Sequence, residues 1–274
     1  MTSKKKAKKR TIFFAALALL LIVVSILAPW LCPNDPNATN ALYMKAAPCR
    51  QFPFGTDSLG RCVCSRVLMG ARTSVFSALL LVAVTFLIGT VLGMLCGFYG
   101  GVLDTIVMRL ADTMLAFPQM VLAIAVAGIL GGGMGNAMAA LGITGWTLYA
   151  RLARSQVLAM KKEPYILAVK LGGSSDAGIL FRHILPNILP PLLVNATTQI
   201  GVTMMGFAGL SFLGLGVQLP NAEWGSMINE ARGYMQLAPW AVLAPGAAMV
   251  LTVMIFNYLG DSVQELMDVK AKEL

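Results

Sequence analysis

Few side chains of this 274-residue chain have the types and spacing that chemistry requires. The one histidine, His183, excludes a metal centre held by several histidines and an HExxH helix. Neither a GxSxG nucleophile motif nor a GxxxxGK(S/T) phosphate-binding loop occurs, so the chain does not bind and hydrolyse ATP by that route. We predict no catalytic residue and no bound cofactor. If ATP drives its activity, partner ATPase subunits use the ATP and Mg²⁺.

Cysteine is the other residue type that could act chemically, because thiols form disulfides and bind soft metals. Cys32, Cys49, Cys62 and Cys64 fall in one segment, and Cys96 lies in a long apolar stretch. The four thiols could pair on an oxidising face of a membrane, and Cys62 with Cys64 could contact a soft metal. They could equally be unpaired structural residues. Because no histidine or methionine cluster accompanies them, we predict no metal site.

The composition places the elements that carry these residues in a membrane. Hydrophobic residues make up 57% of the chain, charged residues only 12%, and the mean hydropathy is +0.75. Five uncharged stretches exceed the roughly 20 apolar residues that cross a bilayer as a helix. They are 11–34, 74–103, 113–150, 184–222 and 233–260. We predict an all-α membrane protein, so the net charge of +9 indicates topology and not a nucleic-acid partner.

Breaks inside the longest stretches set the number of spans. The glycine-rich run 131–136 predicts a tight turn, and Pro186, Pro190 and Pro191 predict a helix start or kink. A seventh span within 215–235 is disfavoured by the charges it would bury. The six predicted transmembrane helices are about 11–31, 76–98, 106–130, 136–155, 192–214 and 241–260.

Basic residues predict the orientation of these spans. Six Lys and Arg within 4–10 directly precede the first span, and this pattern places the N-terminus in the cytoplasm. Six spans return the C-terminus to the cytoplasm, and 15 of the 21 Lys and Arg then fall on that side. A cleaved signal peptide is the alternative, but Ala28-Pro29-Trp30 is not an Ala-x-Ala cleavage site.

Two further patterns concern helix surfaces. Residues 59–72 predict an amphipathic helix on the extracytoplasmic side, facing a vestibule or the lipid headgroups. Gly89, Gly93, Gly97 and Gly101 recur at four-residue spacing and predict a stripe where another helix approaches closely. Chance spacing is the alternative, because the chain contains 27 glycines.

The most informative segment lies between the fourth and fifth predicted spans, at 151–183. A short helix, a glycine stop at Gly172-Gly173, serines suited to N-capping, and a second helix with Asp176 near its N-terminus follow in order. A compact helix-turn-helix of this kind is suited to docking in a groove of another protein. The alternative is a simple connecting loop.

The spans offer little support for a self-sufficient transporter. Asp104, Arg109 and Asp112 lie at the start of the third span and Asp261 just beyond the sixth, so almost no ionisable residue lies at depth. Ion-coupled carriers usually need intramembrane carboxylates or broken helices at the midplane. A stand-alone channel or carrier and a structural scaffold are therefore the alternatives to a subunit of a larger transporter.

The segment 151–186 resembles the coupling loop of ABC-importer permeases, in which Glu-Ala-Ala precedes a glycine and a Leu-Pro pair. Aligned on Gly173 and Leu185-Pro186, the Glu-Ala-Ala pattern falls on 167–169, where leucine replaces the glutamate and valine replaces the second alanine. This departure implies a weaker polar contact with the ATPase partner. The resemblance assigns coupling to Leu167, Ala168, Val169, Gly172, Gly173, Ser174, Ser175 and Asp176.

A series of further matches, in order over residues 55–261, is similar to the dipeptide, oligopeptide and nickel permease family. The series includes the stretches 55–61, 97–101, 182–187, 210–216 and 224–225. The extracytoplasmic members of this motif are Gly55, Thr56, Asp57, Gly60, Arg61, Arg66 and Arg72. Cys62 stands where peptide members commonly carry an acidic residue. Together with the stretches 222–225 and 227–232, this resemblance favours the nickel-uptake branch, with import of dipeptides or oligopeptides as the alternative.

The resemblance implies an inner-membrane subunit with the ABC importer type I permease fold. The implied partners are a second homologous permease, two ATPase subunits, an extracytoplasmic solute-binding protein and the lipid bilayer. The second permease is expected to cover the glycine stripe. The implied organisation is a basic N-terminus and first span at 1–31, an extracytoplasmic segment at 32–73, a permease core at 74–262 and a cytoplasmic tail at 263–274.

Overall fold

The computed structural model describes residues 2–271, and the prediction of an all-α protein is confirmed. Met1 and residues 272–274, at the ends of the predicted N-terminal segment and tail, lie outside the described residues. The α-helices of the described range are α1 (Thr2–Leu31), α2 (Val63–Tyr99), α3 (Gly101–Leu115), α4 (Gln119–Leu130), α5 (Met134–Met160), α6 (Pro164–Leu171), α7 (Asp176–Gly178), α8 (Leu185–Phe212), α9 (Trp224–Ala231) and α10 (Trp240–Ala271).

Four helices of the described chain are long and apolar enough to cross a bilayer. They are Lys5–Leu31, Val63–Tyr99, Asp176–Phe212 and Trp240–Met267. A fifth candidate consists of α3 and α4 together, which are bent by 91°. α5 has 27 residues but is not apolar enough to be counted with them. The structure therefore supports four or five of the six predicted spans.

The helix predicted at 106–130 is broken in the structure. α3 ends at Leu115, α4 begins at Gln119, and Pro118 lies directly before α4. Proline has no N–H to donate to the preceding turn, and it restricts the backbone of the residue before it. The proline therefore explains why one apolar stretch forms two helices.

The amphipathic helix predicted at 59–72 and the span predicted at 76–98 are one helix, α2, of 37 residues. The helix begins four residues later than predicted because Gly60 has φ +74°, outside the helical region. No proline or paired glycines separate Arg72 from Ser74, so nothing in the chain ends the first part before the second begins.

A second merger joins the short helix predicted after Asp176 to the fifth span. The helix is continuous from Asp176 to Phe212, with a π-helical turn at Ile179–Ile184, and Pro190 and Pro191 lie inside it. In this turn the Leu185 N–H donates to the Leu180 carbonyl. A π-turn just before Pro186 accommodates the proline, which cannot donate to the usual carbonyl four residues earlier.

The two terminal helices pack along each other. The rings of Phe14 and Tyr258 stack with centroids 5.2 Å apart, and the Thr11 hydroxyl donates to the Ser262 carbonyl at 2.9 Å. At the other end of α1, the Cys32 thiol lies 3.4 Å from the Ser65 carbonyl, in the first turn of α2. The start of α1 therefore lies toward the end of α2, beside the last turns of α10.

Candidate functional site

The segment predicted to couple with a partner forms a helical hairpin, consisting of α6, the turn 172–175, α7 and the first residues of the π-helical turn, 179–181. Pro164 occupies the first turn of α6, where its missing N–H is not needed. Gly173 adopts φ +82°, as its position in a glycine stop predicts. The Ser175 hydroxyl accepts a hydrogen bond from Gly178 N–H at 3.2 Å and caps α7, whose first residue is Asp176.

One face of the helical hairpin is anchored to the protein. Ile166, Ile179 and Leu180 are buried in a cluster that includes Phe98 at the end of α2. The Lys161 ammonium donates to the Phe98 carbonyl at 2.5 Å and lies over the Phe98 ring, 5.5 Å from its centroid. These contacts join the helical hairpin to α2 and α8.

The other face of the helical hairpin exposes apolar side chains. Leu171 is 89% exposed, Phe181 66% and Leu167 52%. Of the eight predicted coupling residues only Val169 is partly buried, while the other seven are exposed: Leu167, Ala168, Gly172, Gly173, Ser174, Ser175 and Asp176. The structure therefore exposes seven of the eight residues on the helical hairpin.

At the other end of α2, the predicted extracytoplasmic motif forms an ion-pair cluster, which we call the Arg61 cluster (Asp57, Arg61, Arg66 and Glu230). The Arg61 guanidinium lies 2.6 Å from a carboxylate oxygen of Asp57 and 2.6 Å from one of Glu230. Arg66 lies 3.7 Å from Asp57 and 3.8 Å from Glu230, and donates to the Pro220 carbonyl at 3.1 Å. Both arginines are buried, so these four charges compensate one another inside the protein.

Two glycines of the motif are required by close backbone approach. Gly60 lies against Asn40, where an added Cβ would be 1.9 Å from the carbonyl oxygen, and Gly55 lies against the Trp240 indole. The Trp240 N–H donates to the Thr56 carbonyl at 3.0 Å. Arg72, the last residue of the predicted motif, is exposed and lies outside the Arg61 cluster. The structure therefore unites six of the seven predicted residues.

Tyr234 connects the same loop to the segment before α10. Its hydroxyl accepts a hydrogen bond from Ser58 N–H at 3.3 Å. Burial raises the pKa of Tyr234 above the ordinary value of 10.0, and the carboxylates of Asp57 and Glu230 raise it further. The hydrogen bond from Ser58 acts in the opposite direction, so burial is the main reason that the neutral phenol is favoured.

A second buried carboxylate was not predicted as part of any site. Glu223 caps α9 by accepting hydrogen bonds from Gly225 N–H and Ser226 N–H, each at 2.8 Å. The hydroxyls of Ser211 and Ser74 also donate to it, at 2.8 and 3.2 Å. An acidic residue directly before a short helical stretch is an N-cap signal, which would have indicated the first two bonds. The two serines lie on other helices and carry no such local signal.

The glycine stripe packs inside the chain. A Cβ at Gly89 would lie 2.3 Å from the Trp146 carbonyl, and one at Gly93 would lie 2.2 Å from the Ala150 carbonyl. Gly97 is similarly close to Val157. The expectation that a second permease covers this stripe is wrong, because α5 of the same chain does so. Gly101 does not belong to it, since it has φ +66° and no atom within 4 Å of an added Cβ.

Ion pairs join α3 to α5 near the end of α2. Arg154 makes a bidentate pair with Asp104 at 2.5 and 2.6 Å, and Arg151 lies 2.5 Å from Asp112. Arg109, on the same helix as the two carboxylates, is exposed. The charges at the start of the predicted third span therefore position α3 on α5.

All five cysteines are free thiols in the structure. Burial and the nearby Cys62 raise the pKa of the Cys32 thiol. Among the side chains that the structure describes, in residues 5–267, no three His, Cys, Asp or Glu are grouped closely enough to hold a metal ion.

Comparisons with known proteins identify the family of this chain. Residues 89–273 match the family described as binding-protein-dependent transport system inner membrane component. The chain is 40% identical over 251 residues to the dipeptide transport system permease protein DppC of Alkalihalophilus pseudofirmus, with 92% of this chain and 83% of that protein covered. It is 42% identical over 250 residues to the probable D,D-dipeptide transport system permease protein DdpC of Escherichia coli strain K12, covering 91% of this chain and 84% of that protein.

A third relative is the glutathione transport system permease protein GsiD of Pectobacterium atrosepticum, at 43% identity over 252 residues, 92% of this chain and 84% of that protein. Among solved structures, inward-facing MetNI methionine ABC transporter has a chain that superposes with a TM-score of 0.53 at 20% identity, covering 71% of this chain and 94% of that one. That likeness concerns the fold alone. The chain belongs to the family of binding-protein-dependent transport system inner membrane components, as a multi-pass permease subunit that has no catalytic role and binds no cofactor.

Proposed function

We propose that this chain is a permease subunit of an ATP-driven importer for short peptides. The relatives support peptides as the substrate class, because their names specify dipeptides, D,D-dipeptides and glutathione. The sequence alone favoured nickel and kept peptides as the alternative. These relatives favour the alternative.

The preference for nickel depends in part on Cys62, whose position in the structure does not favour ion uptake. Cys62 is buried directly before α2, and its carbonyl accepts the Arg66 N–H at 3.1 Å in the first turn of the helix. A buried residue at a helix start is poorly placed to take up a passing ion. Cys62 therefore gives no reason to prefer nickel over peptides.

The exposed apolar face of the helical hairpin carries the proposal for the mechanism. Three large exposed apolar side chains, close in sequence to a firmly anchored face, suit a groove on an ATPase partner. Closure of two ATPase subunits on ATP would move this surface and switch the spans from inward to outward facing. The binding protein would then release its load into the pathway.

The full assembly would contain this chain, a second homologous permease, two ATPases and an extracytoplasmic binding protein. In the proposed topology α5 and the bent pair α3–α4 each count as one of six spans. The start of α1 lies toward the end of α2 that carries the helical hairpin, so a cytoplasmic N-terminus and a cytoplasmic coupling surface agree with each other. The cluster of basic residues at 4–10 supports that side.

The test replaces Gly173 with valine in the complete importer. Valine tolerates φ +82° poorly, so the turn should shift, and peptide uptake should fall at least about tenfold while the ATPases remain active. Gly173→Asn is the matched variant that should retain most uptake, because asparagine adopts positive φ more readily.

Radiolabelled dipeptide uptake and ATP hydrolysis are measured in the same proteoliposomes. Full accumulation by Gly173→Val at unchanged expression would contradict the coupling role of the helical hairpin. Accumulation of nickel ions without dipeptide by the wild-type importer would contradict the substrate class.

A further inference from the structure

A cavity of about 330 Å³ lies between α2, α4, α5 and α8. Its volume is at the lower end of the roughly 300–1,000 Å³ typical of small-molecule sites. The polar side chains in its wall are Thr85, Gln119, Tyr149, Gln199 and Thr203. None of the residues that line it is Asp, Glu, Lys, Arg or His. We call it the α8 pocket.

Tyr149 lines the α8 pocket and carries an enclosed hydroxyl. The residue is 1% exposed, and its ring packs edge-on against Phe86 with centroids 5.4 Å apart. Its hydroxyl is buried and has no hydrogen-bond partner among the described residues. A buried hydroxyl without a partner costs free energy, so a ligand group that bonds to it would be stabilised.

Other polar groups of the α8 pocket lie on a helix that is a candidate membrane span. Gln199 and Thr203 are four residues apart on α8 and therefore lie on one face of it. Polar side chains within a membrane usually face other protein or a water-filled path instead of lipid. Gln119 adds a further amide at the start of α4, directly after the bend at Pro118. This side of the bundle therefore suits a polar pathway.

The chemistry of the wall selects the ligand. A peptide bond presents one N–H donor and one carbonyl acceptor, which a glutamine side chain and a tyrosine hydroxyl can bond. Met120 and Met205 also line the α8 pocket, and their flexible side chains can adapt to varied apolar groups. A divalent cation would find no carboxylate here to compensate its charge.

We infer that the α8 pocket binds the peptide bond of the substrate during its passage, with Gln199 accepting its N–H and Tyr149 donating to its carbonyl. This inference depends on the proposed import of peptides and adds a site to it. The site explains how a permease could accept many peptides. Its polar residues would bond to the backbone that all peptides share, while the methionines adapt to their different side chains.

The experiment compares uptake of dialanine with uptake of dialanine methylated at the peptide nitrogen, in proteoliposomes that contain the complete importer. Gln199→Leu should reduce the preference for the unmethylated peptide about 3- to 10-fold, the worth of one hydrogen bond. Tyr149→Phe should lower uptake of both peptides by a similar factor and leave the preference unchanged, because methylation keeps the carbonyl. The binding protein is the same throughout, so its own selectivity cancels between variants.

Matched controls are Thr198→Val, the exposed neighbour of Gln199, and Tyr258→Phe on α10, neither of which lines the α8 pocket. Both should behave as wild type. ATP hydrolysis stimulated by the binding protein reports assembly, and Gln199→Met replaces Gln199→Leu if the latter does not assemble. An unchanged preference in the assembled Gln199 variant overturns the site while peptide import stands. A wild-type importer that takes up neither peptide overturns the proposed function instead.

Discussion

The Arg61 cluster and the helical hairpin lie near opposite ends of α2, about 50 Å apart at 1.5 Å per residue. In the Arg61 cluster, charged side chains are buried and bond to one another. In the helical hairpin, apolar side chains are exposed while small and polar residues form the turn. Each region therefore reverses the usual distribution of charged residues outside and apolar residues inside.

The reversal has a different meaning at each end. Paired charges hold parts of the same chain, here the loop 55–61, α2 and α9, in one arrangement. Exposed apolar side chains have no partner within the described chain and gain free energy only when another protein covers them. Both regions match family motifs, yet one is intramolecular and the other is suited to an intermolecular contact.

The largest effect on stability should follow from Arg61→Ala. The change leaves Asp57 and Glu230 with only the more distant Arg66, so the free energy of unfolding should fall by about 3 kcal/mol. Arg72→Ala, an exposed arginine on α2, should change it by less than about 0.5 kcal/mol. Titration of the purified protein with a denaturing detergent measures both. Equal stabilities for the two variants would show that the Arg61 cluster does not hold this end together.

A smaller loss of stability is expected from Gly93→Ala, which lies on α2 between the Arg61 cluster and the helical hairpin. The new Cβ would lie 2.2 Å from the Ala150 carbonyl, so α2 and α5 must separate, at a cost of about 1–3 kcal/mol. Gly128→Ala on α4 meets no atom within 4 Å and should stabilise by up to about 1 kcal/mol. The same detergent titration compares them, and a neutral Gly93→Ala would mean that the helix contact is not tight.

The helical hairpin should respond in binding and not in stability. Leu171→Ser changes a side chain that is 89% exposed, so unfolding should shift by less than about 0.5 kcal/mol. If the ATPase covers Leu171, affinity between permease and ATPase should fall about 10- to 100-fold. Leu42→Ser, equally exposed in the loop before α2, should leave that affinity unchanged. The affinity between permease and ATPase is measured in mild detergent. Wild-type affinity for Leu171→Ser would show that the ATPase binds elsewhere.

The features that local sequence predicts correctly are those with local causes. The positive φ of Gly173 and the cap at Ser175 follow from residue types within one turn of each other. The merging of two predicted helices into α2 was missed because the hydrophobic pattern shows where spans are but not whether the chain stops between them. The Pro118 break was missed because the apolar stretch continues across it.

Long-range partners are the part that sequence could not supply. Arg61 and Asp57 are four residues apart, but Glu230 is 169 residues away from Arg61, and no pattern links them. The same holds for Ser74 and Glu223, which are 149 residues apart. The glycine stripe was recognised from its spacing, whereas its partner, α5, was revealed only by the packing. The spacing of the glycines predicts that another helix can approach closely, but it does not identify that helix.

The smallest effect concerns how the stability of the protein depends on pH through Tyr234, which lies beside the Arg61 cluster. Because the pKa of Tyr234 is raised in the folded protein, the unfolded chain loses this proton first as pH rises. The stabilisation is therefore fully present below the ordinary value of 10.0 and is lost as pH rises through the higher folded pKa. Tyr234→Phe removes the ionisable group, so the variant should lose less stability than wild type between about pH 9 and pH 11. Unfolding curves of wild type and variant across that pH range measure the difference, and an identical dependence on pH would mean that burial does not favour the neutral phenol.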